Sequence, residues 1–252
     1  IAMMLREREL LASNDLSAVE AVRMGSAPIT QALIDQVRGV FPKAAISNGY
    51  GTTEAGPVVF GPHPKGIPQP ELSTGYPHPE VQLRLVRDGR EVEDEGALEM
   101  KCDALMTHYH KLPEVTAKAM TADGYYRTSD VFRRDDNGFF YFVGRVDDMF
   151  VCGGENIYPG EVEKMLERHP DIHQAAVIAV PDDLKGHKPI AFVVKAPGTQ
   201  LDEQTVKTYA LANAPAYQHP RRVLFVDEMP LAGTNKIDKR ALATQIPTGG
   251  DI

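Results

Sequence analysis

Apolar residues recur at helical spacing over residues 30–40, where Leu33, Ile34 and Val37 share one face behind Thr30, a residue type suited to an N-cap. Residues 2–12 also read as a helix. The run Ala44-Ala45-Ile46-Ser47 then reads as a short buried strand, and it empties into the loop SNGYGTTEAGP, Ser47 to Pro57. A helix, a strand and then a glycine-rich loop is what an α/β sheet presents at its carboxyl edge. Periodicity vanishes from 57 to 79, where seven of the 19 prolines fall, so a long irregular connection is expected there. Strict alternation returns in Val81-Gln82-Leu83-Arg84-Leu85-Val86, Asp88-Gly89 marks a turn, and 97–101 and 139–143 read as further strands. This middle part predicts an antiparallel barrel or sandwich. Past Gly144-Arg145 the pattern becomes a helix over 159–168 with proline in its first turn, strands over 175–180 and 190–194, a helix over 202–212 and a strand over 223–226.

The fold class expected is therefore α+β and multi-domain. Residues 1–145 form the larger part, α/β over 1–75 and a β-rich, barrel-like subdomain over 76–145; residues 146–252 form a small α+β domain. The boundary is placed near Arg145-Val146-Asp147-Asp148.

Composition narrows the function. The 252 residues carry 42% hydrophobic and 25% charged side chains, as soluble globular proteins do. A net charge of −8 argues against nucleic acid or any other polyanion bound over a broad face. No apolar run approaches the roughly 20 residues of a membrane span. The opening IAMMLREREL is too charged for a secretory signal and lacks an initiator Met, so a piece of a longer protein is expected. Cys102 and Cys152 lie far apart, which suggests a reducing, cytoplasmic setting and two small packed hydrophobes. His108-Tyr109-His110 and the pair His169 and His173 lack a metal-ligand pattern and read as surface or packing histidines.

Four stretches carry candidate chemistry. In Asn48-Gly49-Tyr50-Gly51-Thr52-Thr53-Glu54 the glycines admit a close ligand, Tyr50 offers a ring and Glu54 offers oxygen to a hard cation; a plain surface turn is the alternative. In DGYYRTSD, 123–130, Asp130 is either a solvated strand end or an acceptor for ribose hydroxyls. In GRVDDMFVCGGENIYPGEVE, 144–163, Arg145 offers a planar donor fork, Asp147 lies at the boundary, and Gly153-Gly154 leaves a wall without side chains. The alternative there is a linker and a glycine turn. In PLAGTNKIDKR, 230–240, Lys236 is either solvated or a cation for a polyphosphate.

In this order and spacing, NGYGTTE, EGALEMKCDALMTHYHKLPEVT, DGYYRTSD, GRVDDMFVCGGENIYPGEVE and PLAGTNKIDKRAL resemble the adenylate-forming superfamily, over about Val22 to Leu242. Members activate a carboxylic acid with ATP to an acyl-adenylate and pass the acyl group to a thiol, usually coenzyme A. The resemblance implies Thr53 at the α-phosphate, Glu54 on Mg²⁺, and Tyr50 beside adenine within the loop Asn48 to Thr52. It implies Gly25-Ser26-Ala27-Pro28 where adenine and acyl group meet, Asp130 on the ribose with Arg145 nearby, and Asp147 as a hinge. It further implies Lys236 bridging carboxylate and phosphate, Gly153-Gly154 lining a pantetheine tunnel, and Tyr217, His219 and Arg221 at the nucleotide end of coenzyme A.

The resemblance makes residues 1–145 the C-terminal part, or remnant, of the large adenylate-forming domain. The family's Ser/Thr/Gly-rich phosphate loop does not occur in the sequence. An N-terminal half of the same protein is therefore the expected partner, and little or no activity is expected of this chain alone. Thr128-Ser129-Asp130 stands where Thr-Gly-Asp is usual, and Asn235-Lys236 where Gly-Lys is usual. The expected function is an AMP-forming ligase joining a fatty or aromatic acid to coenzyme A. The alternatives are an adenylation domain that loads a carrier protein and a non-catalytic nucleotide-binding fragment.

Overall fold

The computed structural model describes residues 1, 4–25, 29–56, 58–232 and 236–246. The chain divides into two compact units, Ile1–Val146 and Asp147–Ile252. The single helix expected over 2–12 is instead a 3-10 turn, Met4–Arg6, followed by α1, Arg8–Ala12. Glu7 between them leaves helical dihedrals, with φ −81° and ψ 57°, and no side chain caps the new start.

β1, Ala21–Gly25, turns Val22 and Met24 inward. α2, Gln31–Val40, starts where the Leu33 amide donates to the Thr30 hydroxyl, the cap its sequence predicts, and it buries Ile34 and Val37. β2, Ala45–Gly49, lies parallel to β1 in unbroken register, from Ala21 beside Ala45 to Gly25 beside Gly49. The proline-rich stretch holds one short antiparallel pair, β3, Phe60–Gly61, and β4, Tyr76–Pro77.

The β-rich region is an open sheet, which corrects the barrel expectation. β5, Gln82–Arg87, and β6, Arg90–Val92, join through Asp88-Gly89, where both residues have positive φ, 51° and 73°. That is the two-residue hairpin geometry an Asp-Gly pair favours. β7, Glu95–Lys101, α3, Pro113–Ala119, β8, Tyr126–Arg134, and β9, Phe140–Arg145, follow. All sheet pairings are antiparallel in the order β6-β5-β7-β8-β9; β6 is an edge, and β9 is bridged on its far side by Gly75 at Phe140 and does not pair with β6 among the described residues. Alternation specifies strands, but closure depends on register between the first and last strands, which no local pattern carries. The inner face buries Leu85, Leu98, Met100 and Phe132.

In the second unit, β10, Phe150–Cys152, and β11, Glu155–Ile157, form a hairpin whose two linking residues are Gly153 and Gly154. α4, Pro159–Leu166, packs on β12, Ile172–Asp182, the partner of β13, Gly186–Lys195. α5, Glu203–Asn213, is capped by Asp202, and β14, Arg222–Phe225, runs parallel to β13. α6, Lys239–Ala243, ends the described chain's regular structure. Buried side chains lie on both sides of the β12–β13 pair: Val177 and Ala191 with α4 residues Val162 and Leu166, and Ala176, Ile190 and Phe192 with Leu242. Among the described residues no helix is long and apolar enough to cross a membrane.

Where α4 meets β12, the Ala175 amide donates to Glu167 and the Val177 amide to Glu163. Burial, reinforced by the neighbouring Glu163 carboxylate, pushes the Glu167 carboxyl from 4.5 up to about 7. The folded state thus holds a proton that the unfolded chain releases near its ordinary value. Stability of this unit is expected to fall as pH rises from about 4.5 through about 7. Glu167→Gln should remove that slope and add on the order of 2–3 kcal/mol at pH 8. Urea unfolding of both proteins at pH 5 and pH 8 checks it.

Candidate active site

At the carboxyl ends of β1 and β2 two glycines face each other for steric reasons. A Cβ on Gly25 would lie 2.6 Å from the Gly49 carbonyl oxygen, and one on Gly49 would lie 2.8 Å from Arg23 Nε. Ser26 and Ala27, expected beside Gly25, lie outside the described residues. Asn48 is tied to the proline-rich stretch, its side-chain amide donating to the Leu72 carbonyl at 3.3 Å. Beyond Tyr50 and the exposed Gly51 the loop closes on itself: the Thr52 amide donates to the Gly56 carbonyl and the Thr52 hydroxyl accepts from the Ala55 amide. This leaves Thr53 exposed and Glu54 half-buried.

The Tyr50 hydroxyl donates to Asp130 Oδ2 at 2.5 Å, and Arg145 Nη1 donates to Asp130 Oδ1 at 2.8 Å. Asp130 is only 7% exposed, so the reading of it as a solvated strand end is corrected. Its charge is matched by a guanidinium and a phenol, as a buried carboxylate requires. The Tyr50 ring packs edge-on against Phe132 at 4.8 Å and tilted against Phe60 at 5.9 Å. Burial first, and then the Asp130 charge, push the Tyr50 phenol far above its ordinary value.

Asp130 reaches this position through a bulge. Ala97 pairs with Val131 and Glu99 with Arg127, so Leu98 alone faces Thr128, Ser129 and Asp130. The Thr128 hydroxyl donates to the Leu98 carbonyl at 2.8 Å and accepts from the Asp130 amide at 3.0 Å. Ser129 takes φ +59°, a left-handed conformation that costs a residue with a Cβ roughly 1–2 kcal/mol. Ser129→Gly is therefore expected to hold or raise stability, by up to about 1 kcal/mol after glycine's own entropy cost, and Ser129→Val to lower it by about 2 kcal/mol. Urea midpoints of the two variants decide it.

Glu54 is held by a second tyrosine. The Tyr109 hydroxyl donates to Glu54 Oε1 at 2.8 Å. Among the described residues no three side chains of metal-ligating type converge. Glu54 offers one carboxylate beside an exposed loop, which fits Mg²⁺ shared with phosphate oxygens better than a cation caged by protein.

In the second unit, Leu231 and Ile237 bridge as an antiparallel pair, and the Ala232 amide donates to the Lys236 carbonyl. Lys236, exposed on this loop, follows Gly233, Thr234 and Asn235, which lie outside the described residues. The loop's base is fastened by the Asp238 cap on α6 and by the Lys239 to Glu163 ion pair at 2.8 Å. Gly153 and Gly154 have φ +63° and +92°, and nothing stands within 4 Å of a Cβ placed on Gly154. The hairpin's conformation, before any ligand, thus accounts for both glycines.

Asp147 lies in the 3-10 turn Val146–Asp148. Arg221 Nη1 lies against the His219 ring, 3.0 Å from Nε2, while Nδ1 faces the Ala216 carbonyl. Burial, followed by the charges of Arg221, Lys207 and Lys185, holds the His219 ring below its ordinary value. The Arg221 Nε is buried without a hydrogen-bond partner among the described residues, and Tyr217 packs on the core.

The structure thus joins Tyr50, Asp130 and Arg145 directly and sets Glu54 on the same loop as Tyr50. Tyr109 and Thr128 were missed from sequence. Tyr109 stands 55 residues from Glu54 between two exposed histidines, and no local signal marks it.

Residues 1–110 match the AMP-binding enzyme family and residues 161–236 match the AMP-binding enzyme C-terminal domain. The 4-coumarate–CoA ligase 2 of Nicotiana tabacum is 31% identical over 99% of this chain and 47% of its own length. The chain therefore spans about half the length of the curated relatives it matches. Among solved structures, the amide bond synthetase McbA from Marinactinospora thermotolerans superposes with a TM-score of 0.85 at 29% identity, over 96% of this chain and 50% of that one. The anthranilate CoA ligase AuaEII, in complex with anthranoyl-AMP, gives 0.82 at 27% identity over 97% and 48%. The chain belongs to the AMP-binding family of adenylate-forming enzymes.

Proposed function

We propose that this chain is part of an AMP-forming acid–coenzyme A ligase acting on an aromatic or fatty acid. One observation carries the reading: a buried carboxylate, Asp130, is presented between Tyr50 and Arg145 at the exit of a glycine-ended parallel strand pair, in a member of the AMP-binding family. Asp130 is suited to accept hydrogen bonds from ribose hydroxyls. Gly25 and Gly49, whose own packing excludes side chains, end the strands where the base is expected, and Thr53 and Glu54 face the phosphates.

In the first step a carboxylate oxygen bonds to the α-phosphorus of ATP while the bond to pyrophosphate breaks. In the second, the thiol sulfur of coenzyme A bonds to the acyl carbon and AMP departs. Two anions must meet in the first step, and the Lys236 ammonium lowers their repulsion. Mg²⁺ held by Glu54 and the triphosphate would supply further charge neutralisation. Asp147 is the hinge of this reading, and Gly153, Gly154, Tyr217, His219 and Arg221 receive coenzyme A. A reducing, cytoplasmic setting suits a free thiol substrate.

A second reading, in which an amine takes the acyl group in place of coenzyme A, is favoured by the likeness to McbA. The test is AMP and acyl-product formation by the full reading frame containing this chain, across aromatic and fatty acids, with and without coenzyme A. Coenzyme A-dependent acyl thioester supports the ligase. AMP release unaffected by coenzyme A, with amide formed when an amine is added, supports the second reading instead.

A further inference from the structure

The segment 102–109 is fastened along the loop that carries Glu54. The Cys102 thiol lies 3.7 Å from the Ala55 carbonyl, the Met106 amide donates to the Glu54 carbonyl at 2.7 Å, and the Tyr109 hydroxyl reaches the Glu54 side chain at 2.8 Å. Tyr109 is itself fixed from behind. Its amide donates to the Thr116 hydroxyl of α3, that hydroxyl donates to the Leu112 carbonyl, and the Leu112 amide donates to the Tyr109 carbonyl.

A glutamate on a loop has three side-chain torsions to order before it can serve a cation. Here Oε1 is occupied by a phenol, while Oε2 has no hydrogen-bond partner among the described residues. A carboxylate engaged in this way is fixed in rotation and offers a single oxygen outward, which suits the one-oxygen contact of a cation that keeps most of its water.

We propose that Tyr109 is a positioning residue for Glu54, its hydroxyl holding one carboxylate oxygen so that the other is presented to a divalent cation bound with the nucleotide phosphates. This rests on the reading of Glu54 as the cation-facing carboxylate.

The test is equilibrium binding of ATP to the full reading frame, with and without Mg²⁺, for wild type, Tyr109→Phe and Glu54→Gln. Wild type gains affinity when Mg²⁺ is added. Tyr109→Phe should bind free ATP as wild type does and lose about tenfold of the gain, the size of one hydrogen bond to a charged group. In turnover, the Mg²⁺ concentration needed for half-maximal rate should rise by a similar factor while the KM for the acid stays unchanged. If Tyr109→Phe keeps the full gain while Glu54→Gln loses it, the proposal is overturned and the reading of Glu54 survives. If Glu54→Gln keeps the gain as well, the reading of Glu54 itself is wrong. An equal loss of affinity with and without Mg²⁺ in Tyr109→Phe would make Tyr109 a structural staple only, and would also overturn the proposal.

Discussion

Asp130→Ala is expected to weaken AMP binding at least about a hundredfold and to lower the stability of the first unit by about 3 kcal/mol. Both effects come from one carboxylate. Removing it withdraws the acceptor proposed for the ribose, and it leaves the Tyr50 phenol without the acceptor it donates to and the Arg145 guanidinium without its buried counter-charge. Asp130→Asn keeps the shape and one acceptor oxygen, so it should recover much of the stability and little of the affinity. Calorimetric AMP titration and urea unfolding separate the two. Wild-type affinity in Asp130→Ala would remove the nucleotide role from this cluster.

Lys236→Ala should act on the reaction alone. The ammonium is exposed on a loop whose base is held by other residues, the Asp238 cap and the Lys239 to Glu163 pair. Its removal is therefore expected to leave folding unchanged and AMP affinity within about twofold, while adenylate formation falls by about 10²–10³. Thioester formation from a supplied acyl-adenylate should persist, because the charge conflict that Lys236 is proposed to relieve has passed by then. Equal losses in both half-reactions would place the lysine elsewhere in the mechanism.

What could be read from sequence was local. The Thr30 cap and the Asp88-Gly89 hairpin each depend on a few neighbouring residues and stand in the structure, whereas the strand expected to be buried over 44–47 has no buried residue and runs on to Gly49. Gly153-Gly154 was legible as a turn, and the structure makes it the turn of a hairpin. The failures were matters of register and distance. Alternation over 81–86 announced strands without telling an open sheet from a barrel. The left-handed Ser129 and its bulge stayed hidden because serine does not mark positive φ. Asp130 stands 80 residues from Tyr50, and Tyr109 stands 55 from Glu54, so only the folded chain pairs them. The family's motifs were legible through their order along the chain, Tyr50 among them, while Tyr109, which donates to Glu54, was not.

The measurement that tests adenylate formation most directly is carboxylic acid-dependent exchange of labelled pyrophosphate into ATP by the full reading frame containing this chain. The account predicts exchange that requires the acid, does not require coenzyme A, and disappears in Lys236→Ala. ATP cleavage to ADP and phosphate, or exchange that proceeds equally without any acid, would contradict it.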